Sequence, residues 1–215
     1  MEAASPWFDR LYSRIVRLLT IADDGQAGRW YLDGQARLEA GQPAQAVASF
    51  DRVLEANPGH AAARLFRGIA RLRLQRIAEA LDDLSQAVEL NPEEEIAWFQ
   101  YGLALTRAAR HAEAEEAYTR ALLLEPGYTS AWANRGIARM QLDRPAEAEA
   151  DFTQALDLDP GQADAHFLRG AARLEQGRAR AALEDFNAAL VLDPGHAKAR
   201  AYRTQAIELP GAASG

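Results

Sequence analysis

The chain has 215 residues, 48% of them hydrophobic and 26% charged. That suffices for one good-sized domain or a short repeat array, and it is too apolar for wholesale disorder. A formal charge of −7 and a pI near 5.2 weigh against nucleic acid as a partner. The absence of Cys excludes disulfides, thiolate zinc sites and cysteine nucleophiles.

No run of about 18 uncharged apolar residues offers a membrane span. Met1 to Ser5 contains Glu2 and no base, unlike the basic start of a secretory signal. The expectation is a cytoplasmic protein. The Cys-free, Ala- and Arg-rich composition is in keeping with a bacterial one.

In chain order, Ser5-Pro6 reads as an N-cap followed by Pro at the first helical position. A helix then runs to about Ile21. Trp7, Phe8, Leu11, Tyr12, Ile15, Leu18 and Leu19 make a broad apolar face, opposite Asp9, Arg10, Ser13, Arg14 and Arg17. Asp24-Gly25 and Gly28 loosen its link to the rest of the chain, so residues 1–26 form a segment of their own. Three readings of this helix fit. It caps a repeat array, it lies in a groove of its own or a neighbouring chain, or it rests on a membrane surface. The basic face is thin, which disfavours the third.

A 34-residue period governs the next 170 residues. Gly34, Gly68, Gly102, Gly136 and Gly170 step by 34, as do Pro58, Pro92, Pro126, Pro160 and Pro194. Ala46, Ala80, Ala114, Ala148 and Ala182 do the same. The period marks five repeats, at 27–60, 61–94, 95–128, 129–162 and 163–196. Each splits into two helices. In the fourth, Trp132, Gly136 and Met140 share a first helix from about Thr129 to Leu142. Ala148, Phe152, Ala155 and Leu156 lie on one face of a second, Pro145 to Leu158. Asp159-Pro160-Gly161 ends it. No segment alternates with period two, so no strand is expected. Residues 197–209 repeat a first helix without its mate and read as a polar capping helix. Residues 210–215 read as a disordered tail.

These residues resemble the tetratricopeptide repeat, with its spaced W-x2-L-G-x2-Y, A-x3-F and P positions. Repeat position 4 holds Trp30, Arg64, Trp98, Trp132 and His166. Positions 8, 20 and 32 are always Gly, Ala and Pro. The resemblance implies an all-α, right-handed superhelix of helix pairs. Its first helices would line a concave groove that holds a partner's helix or peptide.

The chain departs from that pattern at position 7, which holds Asp33, Arg67, Tyr101, Arg135 and Arg169. Position 23 holds Ser49, Asp83, Ala117, Asp151 and Asp185. Wherever position 7 is Arg, position 23 is Asp. This predicts structural ion pairs Arg67–Asp83, Arg135–Asp151 and Arg169–Asp185 between the helices of repeats two, four and five. Position 11 is Arg37, Arg71, Leu105, Arg139 and Arg173. These arginines are expected to run their stems over the helix pair toward acids of the second helix.

The groove positions that the resemblance implies give Tyr31, Gln35, Leu65, Ile69, Leu72, Phe99, Leu103, Ile137, Met140 and Phe167, edged by Arg73 and Arg107. Chaperone-binding members carry Lys and Asn where this chain has Tyr31, Gln35, Leu65 and Ile69, which argues against a carboxylate clamp. An apolar stripe suits an amphipathic helix or apolar peptide with acidic flanks. Packing between neighbouring repeats is the competing role for the same residues.

No catalytic, cofactor or metal-binding constellation stands out. His60, His111, His166 and His196 form no i, i+4 pair, and no Gly-rich phosphate loop is present. The expectation is a non-enzymatic, protein-binding adaptor. The alternative is a self-associating scaffold assembled through the N-terminal helix, since some bacterial members with a leading helix scaffold organelle surfaces.

Overall fold

A computed structural model describes residues 25–209. The helix expected at Ser5–Ile21 and the tail at 210–215 lie outside the described residues. The chain divides into two compact units, Met1–Ala104 and Leu105–Gly215. Among the described residues there are eleven α-helices and no strand. The first unit holds α1 (Gln26–Glu39), α2 (Pro43–Ala56), α3 (Ala61–Arg73), α4 (Ile77–Leu90) and most of α5 (Glu95–Arg107). The second holds α6 (His111–Leu124), α7 (Thr129–Gln141), α8 (Pro145–Leu158), α9 (Ala163–Glu175), α10 (Ala179–Leu192) and α11 (Ala197–Ile207).

Three local devices recur at the 34-residue period and explain where the helices stop. At the turn between repeats, the side chain of position 31 accepts the backbone N–H of the glycine two residues on: Asn57 from Gly59 at 3.1 Å, Asp159 from Gly161 at 3.1 Å and Asp193 from Gly195 at 2.8 Å. The carbonyl of the intervening proline is taken by position 4. Trp98 Nε1 donates to Pro92 at 2.8 Å and Trp132 Nε1 to Pro126 at 2.8 Å. Arg64 Nη2 does so to Pro58 at 2.8 Å, and Arg200 Nη2 to Pro194 at 2.7 Å. The Arg residues in the Trp slot thus keep the one property the turn uses, an N–H aimed at that carbonyl.

The turn inside each repeat is left-handed at position 15. Gly41 and Gly177 have φ of 69° and 74°. Gln75, Ala109 and Asp143 hold 59°, 58° and 57° without the freedom of glycine.

The core depends on two small residues. Ala46, Ala80, Ala114, Ala148 and Ala182 are fully buried. Opposite them, a Cβ added to Gly34 would meet Phe50 Cε1 at 2.6 Å. At Gly136 it would meet Phe152 Cε1 at 2.7 Å, and at Gly170 Phe186 Cε1 at 2.6 Å. The absent side chain lets the aromatic ring of the second helix lie on the backbone of the first. In the first unit Phe50 also stacks on Phe66 of the next repeat, ring centroids 6.1 Å apart. In the second, Tyr202 of α11 closes over Phe167 at 5.2 Å.

Gly136→Ala forces Phe152 off its seat and should cost about 1–3 kcal/mol in urea unfolding. Gly161→Ala meets only Asp159 Oδ1 at 3.4 Å and should cost less.

Candidate functional site

The first helices present two faces. One, turned to the second helices, carries the charges. Arg67 Nη2 lies 2.6 Å from Asp83 Oδ1, Arg135 Nη2 2.7 Å from Asp151 Oδ1, and Arg169 Nη2 2.7 Å from Asp185 Oδ1. The structure therefore brings together all three position 7 and 23 partners. Each carboxylate also takes the arginine one turn further on. Asp83 accepts from Arg71 at 2.6 Å, Asp151 from Arg139 at 2.9 Å and Asp185 from Arg173 at 2.8 Å. All three carboxylates are buried. Two guanidinium groups per carboxylate offset its desolvation, which one partner alone does poorly.

The lattice then crosses between repeats. Arg67 Nη1 reaches Asp51 of the preceding second helix at 2.7 Å, and Arg135 Nη1 reaches Thr119, at the same repeat position, at 3.1 Å. Arg139 Nε reaches Glu115 at 2.8 Å and Arg173 Nε reaches Glu149 at 2.8 Å. Arg144 and Arg178 join the same two glutamates. Burial alone would raise the Glu115 carboxyl, but the bonds from Arg139 and Arg144 outweigh it and hold the group below its ordinary value. Glu149 is lowered the same way by Arg173, Gln176 and Arg178. These cross-repeat partners escaped the sequence reading, which compared positions within a repeat. The signal was present one repeat back, where Glu115 and Glu149 precede Arg139 and Arg173 by 24 residues.

The other face carries the groove positions, and the two units differ there. In the first unit Tyr31, Gln35, Leu65, Ile69, Leu72 and Phe99 are buried, and Leu103 is half-buried. Tyr31, Leu65, Ile69 and Leu72 belong to the hydrophobic core cluster of that unit. Burial, with Glu94 adding to it, pushes the Tyr31 hydroxyl up. Arg73 is exposed overall, yet its Nη1 donates to the Leu38 carbonyl at 2.6 Å and so caps the end of α1. In the second unit Phe167 is buried, whereas Ala133, Ile137, Met140, Ala171 and Leu174 stay half-buried on adjacent first helices α7 and α9. Arg107, Gln141 and Glu175 are exposed. Ile137 and Met140 are half-buried and pack against the core cluster of Ala148, Phe152 and Ala172.

Among the described residues, no group of three His, Asp or Glu is placed to hold a metal ion. No helix there is long and apolar enough to cross a membrane.

Tetratricopeptide repeat profiles match residues 31–85, 67–131, 102–173 and 163–196. The chain belongs to the tetratricopeptide repeat family. Its fold class is the all-α solenoid of that family, whose members are generally non-enzymatic interaction modules. No curated protein matches the sequence.

Among solved structures it is similar to YrrB, a TPR protein with an unusual peptide-binding site. The TM-score is 0.74 and the identity 22%, over 81% of this chain and 90% of that one. MamA from Desulfovibrio magneticus RS-1 gives 0.75 and 19%, over 81% and 99%. The APC/C hetero-tetramer Cut9–Hcn1 gives 0.72 and 21%, over 85% of this chain and 36% of that one. At such identities the likeness shows a shared fold.

Asp151→Ala strands Arg135 and Arg139 and should cost about 3–5 kcal/mol in chemical unfolding. Combined with Arg135→Ala, it should cost less than the sum of the two. Because Glu115 and Glu149 are lowered from 4.5, their contribution is complete above that pH. It is lost as pH falls through the depressed folded-state values. Glu115→Gln with Glu149→Gln should therefore flatten the acid limb of a stability–pH curve.

Proposed function

We propose that the chain is a non-enzymatic adaptor that holds an apolar helix or peptide of a partner protein on the first helices of the second unit. The observation that carries this is the partly accessible strip of Ala133, Ile137, Met140, Ala171 and Leu174, each half-buried. Its positions match those at which the family lines its groove. At these positions, Phe167 apart, side chains that are mostly buried in the first unit are half-buried here, and a partly accessible apolar strip on a folded surface marks an interaction site. The rim carries Gln141 and Glu175, polar groups that can set the orientation of a bound peptide. Spacing of four residues between Ile137 and Gln141, and of three between Ile137 and Met140, suits a helix presenting side chains at i and i+4. YrrB, of the same fold, carries a peptide-binding site, in line with a peptide as ligand.

The test is selection of a random peptide library against the wild-type chain, followed by titration of the selected peptides. Peptides with apolar residues at helical spacing should emerge. Ile137→Asp should weaken them by at least about tenfold, an introduced charge in an apolar contact costing more than 1.4 kcal/mol. Equal binding by the variant would remove the strip as the site.

A further inference from the structure

The second helices of the second unit end in apolar side chains turned to solvent. Repeat position 30 holds Leu124, Leu158 and Leu192 there, and position 29 holds Leu123, Asp157 and Val191. Leu158 and Leu192 are 47% and 45% exposed, Leu123 69% and Val191 80%. The last two are the most exposed large apolar residues among the described ones.

Leucine at position 30 also occurs in the first unit, as Leu90, so it belongs to the repeat pattern. Position 29 differs. The first unit has Glu55 and Glu89 there, the kind of residue that so exposed a position ordinarily carries. Leu123 and Val191 stand where an apolar side chain gains least from folding. One exposed leucine is ordinary, but these residues share the last turn of three successive second helices, α6, α8 and α10, and so form a row.

The charges beside this row are unbalanced. Glu125, Asp157, Asp159 and Asp193 stand at positions 29 and 31, all exposed, and no Lys or Arg occupies positions 29 to 31 of any repeat. Their partners among the described residues are neutral N–H groups. Glu125, Asp159 and Asp193 accept from the backbone of Gly127, Gly161 and Gly195. Asp159 also accepts from Gln162, and Asp157 from Gln154. The buried acids Asp151 and Asp185, by contrast, are each met by two arginines.

We infer that this row docks a basic amphipathic helix of a partner protein, its apolar side chains on the leucines and its lysines or arginines over the flanking acids. Neighbouring second helices pack on a shared first helix, α7 or α9, and so stand on the order of 10 Å apart. An α-helix rises about 10 Å in seven residues, so apolar residues at i, i+3 and i+7 meet successive repeats in turn. The same acids repel anionic lipid and nucleic acid, which leaves a protein segment as the occupant. The row lies on other helices than the strip proposed above, and it takes a ligand of a different charge pattern.

The probe for the test is a labelled peptide of about 18 residues, with Leu at helical spacing on one face and Lys on its flanks, titrated against the full chain by fluorescence anisotropy. It should bind at least about tenfold more tightly than the same peptide with Glu for Lys. Leu123→Gln with Val191→Gln should weaken it by at least about tenfold at unchanged helicity, since both side chains are exposed. Ile137→Asp should leave it unchanged. No binding of the lysine peptide, equal binding of the glutamate peptide, or equal binding by the double variant would each overturn the inference. Loss of binding in Ile137→Asp would move the peptide to the first helices and overturn it too. So would a wild-type dimer, seen by sedimentation and abolished in the double variant, because it would assign the row to a second copy. Failure on the double variant alone leaves the strip on the first helices standing as a proposal.

Discussion

The buried carboxylate at repeat position 23 is the interaction on which the rest of the structure depends. Asp83, Asp151 and Asp185 each sit between the two helices of a repeat and take two arginines from the first helix. An acid in that position would be costly alone, since burial of an unpaired charge outweighs most single contacts. Supplied with two guanidinium forks, it fixes the rotation of the first helix about its own axis. That rotation decides which side chains face the second helix and which face outward. The same arginines reach the preceding repeat, through Asp51 in the first unit and Glu115 and Glu149 in the second. Within each unit one network therefore sets both the pairing of helices and the stacking of repeats.

With rotation fixed, the glycine at position 8 sets separation. The ring or branched chain of position 24 occupies the space a Cβ would take. The groove positions of the first helices lie outside the charge network, yet some of them pack as well: Tyr31 lies on Phe50 and Phe66, and Phe167 on Phe186 and Tyr202. There the chain places its apolar residues differently in its two units. It closes Tyr31, Leu65 and Ile69 in one and leaves Ile137, Met140 and Leu174 half-open in the other.

Much of this was legible in the sequence. Three residue types sharing a 34-residue period mark the helix pairs, because each type answers a steric demand that recurs once per repeat. The Arg–Asp coupling was also readable, since a covarying charge within one repeat reflects a contact within that repeat. The position 11 arginines reach the second-helix acids Asp83, Asp151 and Asp185 as expected, but their cross-repeat partners were not legible, because Glu115 and Glu149 belong to the repeat before. Nor was the role of position 4, where Arg64 and Arg200 look like losses of Trp and are instead donors to a proline carbonyl. The groove was the least legible. Tyr31 and Ile137 share a pattern in sequence, yet one is enclosed and the other is accessible. Burial depends on what lies above a side chain, and spacing along one helix does not record that.

The central claim is that position 23 carboxylates hold together more than their own helix pair. Native-state hydrogen exchange on the Asp151→Ala variant tests it most directly. Protection should fall in α7 and α8 and also in α6, which is tied to the site through Arg139 and Glu115. Loss of protection confined to α7 and α8, with α6 at wild-type rates, would show that the lattice is a set of separate pairs and would contradict the claim.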